Sequence, residues 1–280
     1  MAKVFAVIGG DMRQRYLAEE LARVGCRTER FAVPDLPDTR GSLTEVIRRS
    51  EYVILPMPSF EKSGSIRNTE NQNITPREIG DALREDAVVF VGKNHDCTKS
   101  WDCTLLDYAA WEDLAIENAV STAEGAIEIA MEQLPETIQG SRFLVIGAGR
   151  IGMCLARKLK LLGAHVTVSA RRPSDFAKLR SEDFDIELTG KYNLGLHHYQ
   201  CVMNTVPAKV FDAAQLEQLD ADCIWIELAS APYGCSPEEC RMLGRRWFSG
   251  AALPGRVAPK TAGVLIAEAI LRHLREREAG

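Results

Sequence analysis

The stretch FLVIGAGRIGMCLARKLKLLGAHVTVSARRP, Phe143 to Pro173, limits the fold of this chain more than any other segment. An apolar strand runs into Gly147, Gly149 and Gly152, spaced G-x-G-x-x-G. A helix follows, with Ile151, Cys154, Leu155, Leu159 and Leu162 on one stripe, and a second strand begins after Gly163. Strand, glycine turn, helix and strand in this order build a dinucleotide site. The first glycine permits the sharp turn, the second lets the backbone approach a pyrophosphate, and the third lets the helix pack close to the strand. The helix N-terminus offers N–H groups and a positive dipole end to the phosphates. The cofactor contacts expected here are Gly147, Gly149, Arg150, Ile151 and Gly152.

The second strand decides which dinucleotide. A site for NAD places Asp or Glu at its end to accept from the ribose 2′-hydroxyl. Here the strand ends Ser169-Ala170-Arg171-Arg172, with no acid. A hydroxyl and guanidinium groups hold a 2′-phosphate, so NADP (NADPH) is the expected cofactor, with Ser169, Arg171 and Arg172 as its ligands and one of the two arginines a solvated loop charge. Two later strands end in NTVP (Asn204, Thr205, Val206, Pro207) and ELAS (with Leu228, Ala229, Ser230). Ligands in open α/β sheets lie at carboxyl ends of strands, so these turns are expected to border the nicotinamide half. Ordinary strand-to-helix turns are the alternative.

Apolar runs of strand length alternate with helix-period segments along the whole chain, which favours parallel α/β architecture. KVFAVI (3–8), YVILP (52–56) and AVVFVG (87–92) read as strands of a first sheet, with Asp11 capping a helix through about Val24. FLVIG (143–147), HVTVS (165–169), CVMNTV (201–206) and CIWIEL (223–228) read as a second. Ala119, Ala123, Ala126, Ile127, Ala130, Met131 and Leu134 lie on one helix face that links the two. The expected fold is α/β, with two Rossmann-like parallel-sheet domains and a cleft between them. An N-terminal substrate-side domain spans 1–116, an NAD(P)-binding Rossmann domain spans 117–259, and a C-terminal helix, 260–280, packs back on the first. The polar segment Pro56–Gly80 is long enough to be a lid or a disordered loop.

A net charge of −5 with interspersed charges, and no basic block, gives no surface for nucleic acid or membrane. The N-terminal apolar run is too short to span a bilayer and has no secretory cleavage site, so a cytoplasmic protein is expected. The eight cysteines form no Cys-x-x-Cys pair, so reduced thiols are expected and no metal site.

The motifs IGGDMRQ, STAEG, the G-x-G-R-x-G turn, NTVPAKVF, IELASAPYG and ALPGRVAPKTAG together resemble the family of the dipicolinate synthase A subunit over most of the chain. The resemblance implies a role in the mother cell of a sporulating bacterium. The implied reaction is NADP-dependent oxidation of dihydrodipicolinate to dipicolinate (pyridine-2,6-dicarboxylate), alongside the flavoprotein-like B subunit of dipicolinate synthase. The implied substrate is a small dicarboxylate, and we expect a homo-oligomer. Another NADP-linked two-domain dehydrogenase and a non-catalytic NADP-binding regulatory protein are the alternatives.

A dicarboxylate calls for cations and free N–H groups. Gly10, Asp11 and Arg13 open the first helix and offer one carboxylate site, unless they only make a tight turn with Arg13 solvated. Arg256 and Lys260 lie in a proline-stiffened stretch before the last helix, where Thr261 is the expected cap. Thr122 and Glu124 sit near the start of the linking helix. Glu124 is a candidate base or a partner for Lys260. Lys93, Asn94 and His95 follow a first-domain strand, and His95 is the natural proton acceptor near neutral pH. Lys260, His95 and Glu124 are thus the catalytic candidates, and Thr122 and Arg256 complete the substrate set.

Overall fold

The computed structural model describes residues 3–70, 72–93, 95–192 and 195–279. Asn94 lies outside them. The chain divides into two compact units, Met1–Asn118 with Ala258–Gly280, and Ala119–Val257.

In the first unit, β1 (Val4–Ile8), β2 (Arg27–Phe31), β3 (Tyr52–Ile54), β4 (Val88–Val91) and β5 (Thr104–Asp107) form one parallel sheet in the order β2-β1-β3-β4-β5. The helices α1 (Met12–Arg23), α2 (Leu43–Arg48) and α3 (Pro76–Ala82) connect the early strands, and α4 (Glu112–Gln133) runs from the end of this unit into the second. There, β6 (Arg142–Ile146), β7 (His165–Ala170), β8 (Asp185–Leu188), β9 (Cys201–Asn204), β10 (Ile224–Glu227) and β11 (Arg246–Ser249) form a second parallel sheet, in the order β11-β10-β9-β6-β7-β8. Its helices are α5 (Arg150–Leu161), α6 (Pro173–Ser181), α7 (Ala213–Glu217), α8 (Pro237–Met242) and α9 (Leu253–Val257). The last helix, α10 (Pro259–Ala279), belongs to the first unit.

Each sheet reverses direction once, between β1 and β3 in the first unit and between β6 and β9 in the second. Doubly wound sheets open a crevice at that point, outside the carboxyl ends of the strands. The central strands are apolar on both faces because helices cover both. Phe143, Leu144, Val145 and Ile146 are all fully buried, two in each of the cores that flank the second sheet. In the first unit, Ile266, Ala269 and Ile270 of α10 share a core with Leu17 and Leu21 of α1. A side chain at Gly263 would meet the Arg13 carbonyl oxygen at 2.4 Å, so the two helix backbones touch there.

Several expectations are corrected. Met131 lies off the buried stripe of α4 and is 58% exposed, and Leu162, at the end of α5, is exposed too. The proline stretch before the last helix is itself helical (α9), and α10 begins at Pro259, so Thr261 is not its cap. The described residues of the Pro56–Gly80 segment are tied down by hydrogen bonds. Buried Ser59 exchanges backbone and side-chain hydrogen bonds with Gly92, and its carbonyl accepts from the Arg67 N–H at 3.0 Å. The Asn68 side chain closes the turn between Ile66 and Gln72. The backbone of Arg67–Thr69 then bonds to both sides of Gly10, laying this segment along the turn after β1.

Candidate functional site: a dinucleotide pocket at the β6/β9 switch point

A cavity of about 370 Å³ opens at the carboxyl ends of β6, β7 and β9. Its floor is the Gly147–Gly149 turn. Gly147 has φ +103°, and a side chain there would strike the Thr205 hydroxyl at 2.5 Å. A side chain at Gly152 would lie 1.9 Å from the Gly147 carbonyl oxygen, so α5 can begin this close to β6 only with glycine. At Gly149 the same test meets nothing within 4 Å. That glycine faces open space, as a backbone that approaches a ligand must. It is also the N-cap of α5, and no side chain among the described residues caps the helix. Arg150 and Ile151 are its first two residues.

The opposite wall is the turn after β9, with Thr205, Val206 and Pro207. Its shape is fixed from beneath. Asn204 is wholly buried and brackets Val206, donating from Nδ2 to the Val206 carbonyl (2.9 Å) and accepting from the Val206 N–H at Oδ1 (3.1 Å). Asn204 Nδ2 also donates to Glu227 Oε1 at 2.6 Å. Glu227, 2% exposed, further accepts from Trp225 Nε1 (3.1 Å), the Ala229 N–H (3.2 Å) and the Gly234 N–H (2.9 Å). Burial raises the Glu227 pKa above the usual carboxylate range, against the pull of these donors. Asn204 is therefore a hidden brace, not a surface contact. Leu228 and Ala229 are half-buried, Ser230 is exposed, and none of the three lines this cavity.

The third wall is where a 2′-substituent of the adenosine ribose would lie. Arg171 and Arg172 both line it. Arg172 is held by Asp175, whose carboxylate accepts from Nε at 2.9 Å and Nη2 at 3.2 Å. Arg171 is exposed and has no ion pair among the described residues. Ser169 does not line the cavity. It is fully buried, and its hydroxyl accepts from Thr189 Oγ1 at 3.2 Å. Thr189, not Ser169, reaches the cavity. Thr189 and Asp175 are the residues that sequence reasoning missed. Asp175 sits in the first turn of α6, behind Pro173, where an acid is ordinary.

The first-unit candidates resolve differently. Gly10 has φ +92° and packs on Gln14 and Pro56. Asp11 caps α1 by accepting from the Arg13 N–H at 3.1 Å. The Arg13 guanidinium, expected to be open to a carboxylate, is 6% exposed and bound to Asp11 through Nε (2.8 Å) and Nη2 (2.7 Å), and it donates to the Met57 carbonyl. It ties β1 to β3 across their switch point. Burial pushes the Asp11 pKa up, but Arg13, with the charge of Arg67 beyond it, holds it below the usual value. Half-buried Arg67 has no ion pair among the described residues. His95 is exposed. Its Nδ1 accepts from the Cys97 N–H (3.3 Å) and lies 3.2 Å from the Cys97 sulfur. Lys260 is the exposed second residue of α10.

In the second unit, Thr122 is buried in α4. Glu124 pairs with Lys158 at 2.8 Å and not with Lys260. Arg256 is exposed in the last turn of α9. No helix among the described residues is long and apolar enough to cross a membrane, and no cluster of three or more His, Cys, Asp or Glu side chains among them can hold a metal ion.

Two doubly wound parallel units, one with a glycine-turn pocket at its switch point, define a dehydrogenase-type α/β protein. D-lactate dehydrogenase from Escherichia coli shares this fold at a TM-score of 0.60 and 13% identity, over 99% of this chain and 97% of its own. Nearer likenesses are more specific. Residues 4–104 match the family model of the N-terminal domain of the dipicolinate synthase A subunit. The A subunit of dipicolinate synthase from Bacillus subtilis (strain 168) is 26% identical over 98% of this chain and 96% of its own length. The crystal structure of the dipicolinate synthase A subunit from Bacillus halodurans matches at a TM-score of 0.88 and 29% identity, covering 97% of each chain. The resemblance carried by the sequence motifs therefore holds: residues 4–104 match the N-terminal domain of the dipicolinate synthase A subunit, and likeness to that protein runs the length of the chain.

Proposed function

We propose that this chain is the A subunit of a dipicolinate synthase, binding NADP(H) in its second unit and oxidising dihydrodipicolinate to pyridine-2,6-dicarboxylate. The observation that carries the reading is the switch-point cavity itself: glycines that only close packing and ligand approach require, a helix start with no side-chain cap among the described residues, and an arginine at the ribose end with no ion pair among them. These features fit a dinucleotide with a 2′-phosphate. When bound, the nicotinamide ring would accept the hydride, while the second hydrogen leaves the dihydropyridine as a proton.

The chain's own residues would hold and orient. Gly149 and the first turn of α5 would take the pyrophosphate. Arg171 would take the 2′-phosphate. The Asn204–Glu227 brace would keep the Val206–Pro207 wall in place. For a substrate carboxylate, Arg67 is a better candidate than Arg13, whose guanidinium is already bound. His95 would be the proton acceptor, its ring oriented by the Cys97 N–H at Nδ1. Lys260 and Arg256 would offer further positive charge to a dicarboxylate. The relatives are named as the A subunit of an enzyme, which supports assembly with a second protein, and dihydrodipicolinate is the substrate to supply. The test is formation of pyridine-2,6-dicarboxylate by the purified chain with its partner and NADP⁺. Product that depends on both proteins supports the reading. Turnover of a hydroxy acid instead, with none of this product, overturns it.

A further inference from the structure

Cys235 and Cys240 line no part of the dinucleotide pocket, yet their sulfurs lie 3.2 Å apart. Both side chains are buried, in the core that also holds Phe211 and Trp225. Among the described residues no other two cysteine sulfurs are in contact. The local sequence accounts for the meeting. Ser236 is the N-cap of α8, its hydroxyl accepting from the Glu239 N–H at 3.2 Å, and Pro237 starts the helix. Cys235 is then the residue before the cap and Cys240 the fourth residue of the helix. These two positions pack together at a helix start as a hydrophobic staple. A staple asks only for apolar side chains, and two thiols add the capacity to become covalent.

What such a bond would hold is the underside of the pocket wall. Gly234, next to Cys235, donates its N–H to Glu227 at 2.9 Å, and its carbonyl accepts from the Val210 and Phe211 N–H groups at 2.8 and 3.0 Å. A side chain at Gly234 would lie 2.6 Å from the Asn204 amide and 2.8 Å from the Trp225 ring, so the backbone here rests against both. Asn204 in turn brackets Val206 on the pocket wall. Fixing Cys235 to α8 therefore fixes the residue that packs beneath the brace. The sulfurs start 3.2 Å apart, so closing to a disulfide of about 2.05 Å asks for only about 1 Å of movement.

We propose that Cys235 and Cys240 are a modification site for hydrogen peroxide, and that their disulfide clamps Gly234 beneath the Val206–Pro207 wall. Peroxide is small enough to reach a buried pair. The two thiols are unequal. Donation from the Cys235 thiol lowers the Cys240 pKa against the effect of burial, so Cys240 is the sulfur that reacts first as a thiolate. Its sulfur bonds to one peroxide oxygen, the O–O bond breaks, and hydroxide leaves with a sulfenic acid formed. The Cys235 sulfur then attacks the Cys240 sulfur, the S–S bond forms, and the oxygen leaves as water. Two thiols and one hydrogen peroxide give one disulfide and two waters. The effect of the clamp on ligand affinity rests on the dinucleotide reading above; the bond and the clamp do not.

The test compares the full chain treated with stoichiometric hydrogen peroxide with the same chain kept in dithiothreitol. Glu238 and Glu239 lie between the two cysteines, so cleavage after glutamate yields two peptides that stay joined only if the disulfide has formed. Joined peptides, the loss of two free thiols and about tenfold slower hydrogen exchange at the Gly234 amide are expected, all reversed by dithiothreitol. Cys240→Ala and, separately, Cys235→Ala should show none of these changes. Oxidised chain should bind NADP⁺ about two- to fivefold more tightly than reduced chain, as a preorganised wall requires, and neither variant should respond to peroxide. Thiols that survive the treatment, a disulfide to any other cysteine, or a bond that leaves Gly234 exchange unchanged overturns the proposal. If the clamp forms but the reduced chain binds neither dinucleotide, the pocket assignment fails and the clamp stands.

Discussion

Replacing Glu227 by Gln should damage the dinucleotide pocket without touching any residue that lines it. Glu227 spreads its donors evenly: Oε1 takes Asn204 Nδ2 and the Ala229 N–H, and Oε2 takes Trp225 Nε1 and the Gly234 N–H. Glutamine keeps one oxygen and turns an NH₂ toward the other two donors. Two buried donors lose their acceptor, at about 1–2 kcal/mol each. Relief of the buried charge offsets about 1 kcal/mol, leaving a net loss of about 1–3 kcal/mol at neutral pH. The loss has a pH signature. Burial raises the folded-state pKa of Glu227 above its ordinary 4.5. The folded state therefore holds this proton more tightly than the unfolded one. The stability Glu227 contributes is fully present below pH 4.5 and declines as pH rises through the raised value. The gap between wild type and Glu227→Gln should be widest at acid pH and narrow on the way to neutrality. Urea unfolding across that range measures it, and hydrogen exchange at the Ala229 and Gly234 amides should quicken in the variant. A variant within about 0.5 kcal/mol of wild type at every pH, with unchanged exchange, would refute the brace.

The remaining predictions are local. Gly152→Ala should cost about 1–3 kcal/mol and abolish dinucleotide binding, because α5 must move off the Gly147 carbonyl; thermal melts and a binding titration check both. Asp175→Asn should free Arg172 and tighten NADP⁺ binding severalfold with little change for NAD⁺, read by calorimetry. A loss of NAD⁺ affinity instead would make Asp175 a ribose ligand. Arg13→Ala should destabilise the first unit by about 2–3 kcal/mol, less than a fully buried pair because Asp11 keeps some exposure. Asp11's folded pKa is depressed below 3.8, so its contribution is present above that value and lost as pH falls through the folded pKa. The variant's acid-unfolding profile should be shallower there.

The sequence made some features plain and hid others for physical reasons. Central strands such as FLVI and IWIE are apolar on both faces, and that pattern is visible without the fold. The outer strands β2 (RTERF), β8 (DIEL) and β11 (RWFS) carry charged residues, Glu29 and Glu187 buried among them, and lack the continuous apolar run that marks the central strands. The glycine turn was legible because its demands are local. The facing of a side chain was not. Ser169 and Arg13 have the right chemistry for anions, but Ser169 is fully buried in the fold, and the Arg13 guanidinium is bound by Asp11 and by the distant Met57 carbonyl. Arg67 comes to the turn after β1 only through long-range packing, whereas Asp175 sits three residues from Arg172, where an acid in a first helical turn is too ordinary to mark a site. Met131 kept helical spacing closely enough to pass for a core residue, although its angle puts it outside the stripe.

The central claim is that the β6/β9 pocket binds a nicotinamide dinucleotide through its glycine turn and Arg171. Calorimetric titration of the purified chain with NADP⁺ and NAD⁺, repeated on Arg171→Asp, tests it most directly. The account predicts tighter binding of NADP⁺ and loss of that preference in the variant, with NAD⁺ binding retained. Binding of neither dinucleotide would contradict the pocket assignment. Binding of both, with a preference that Arg171→Asp leaves unchanged, would contradict the role given to Arg171.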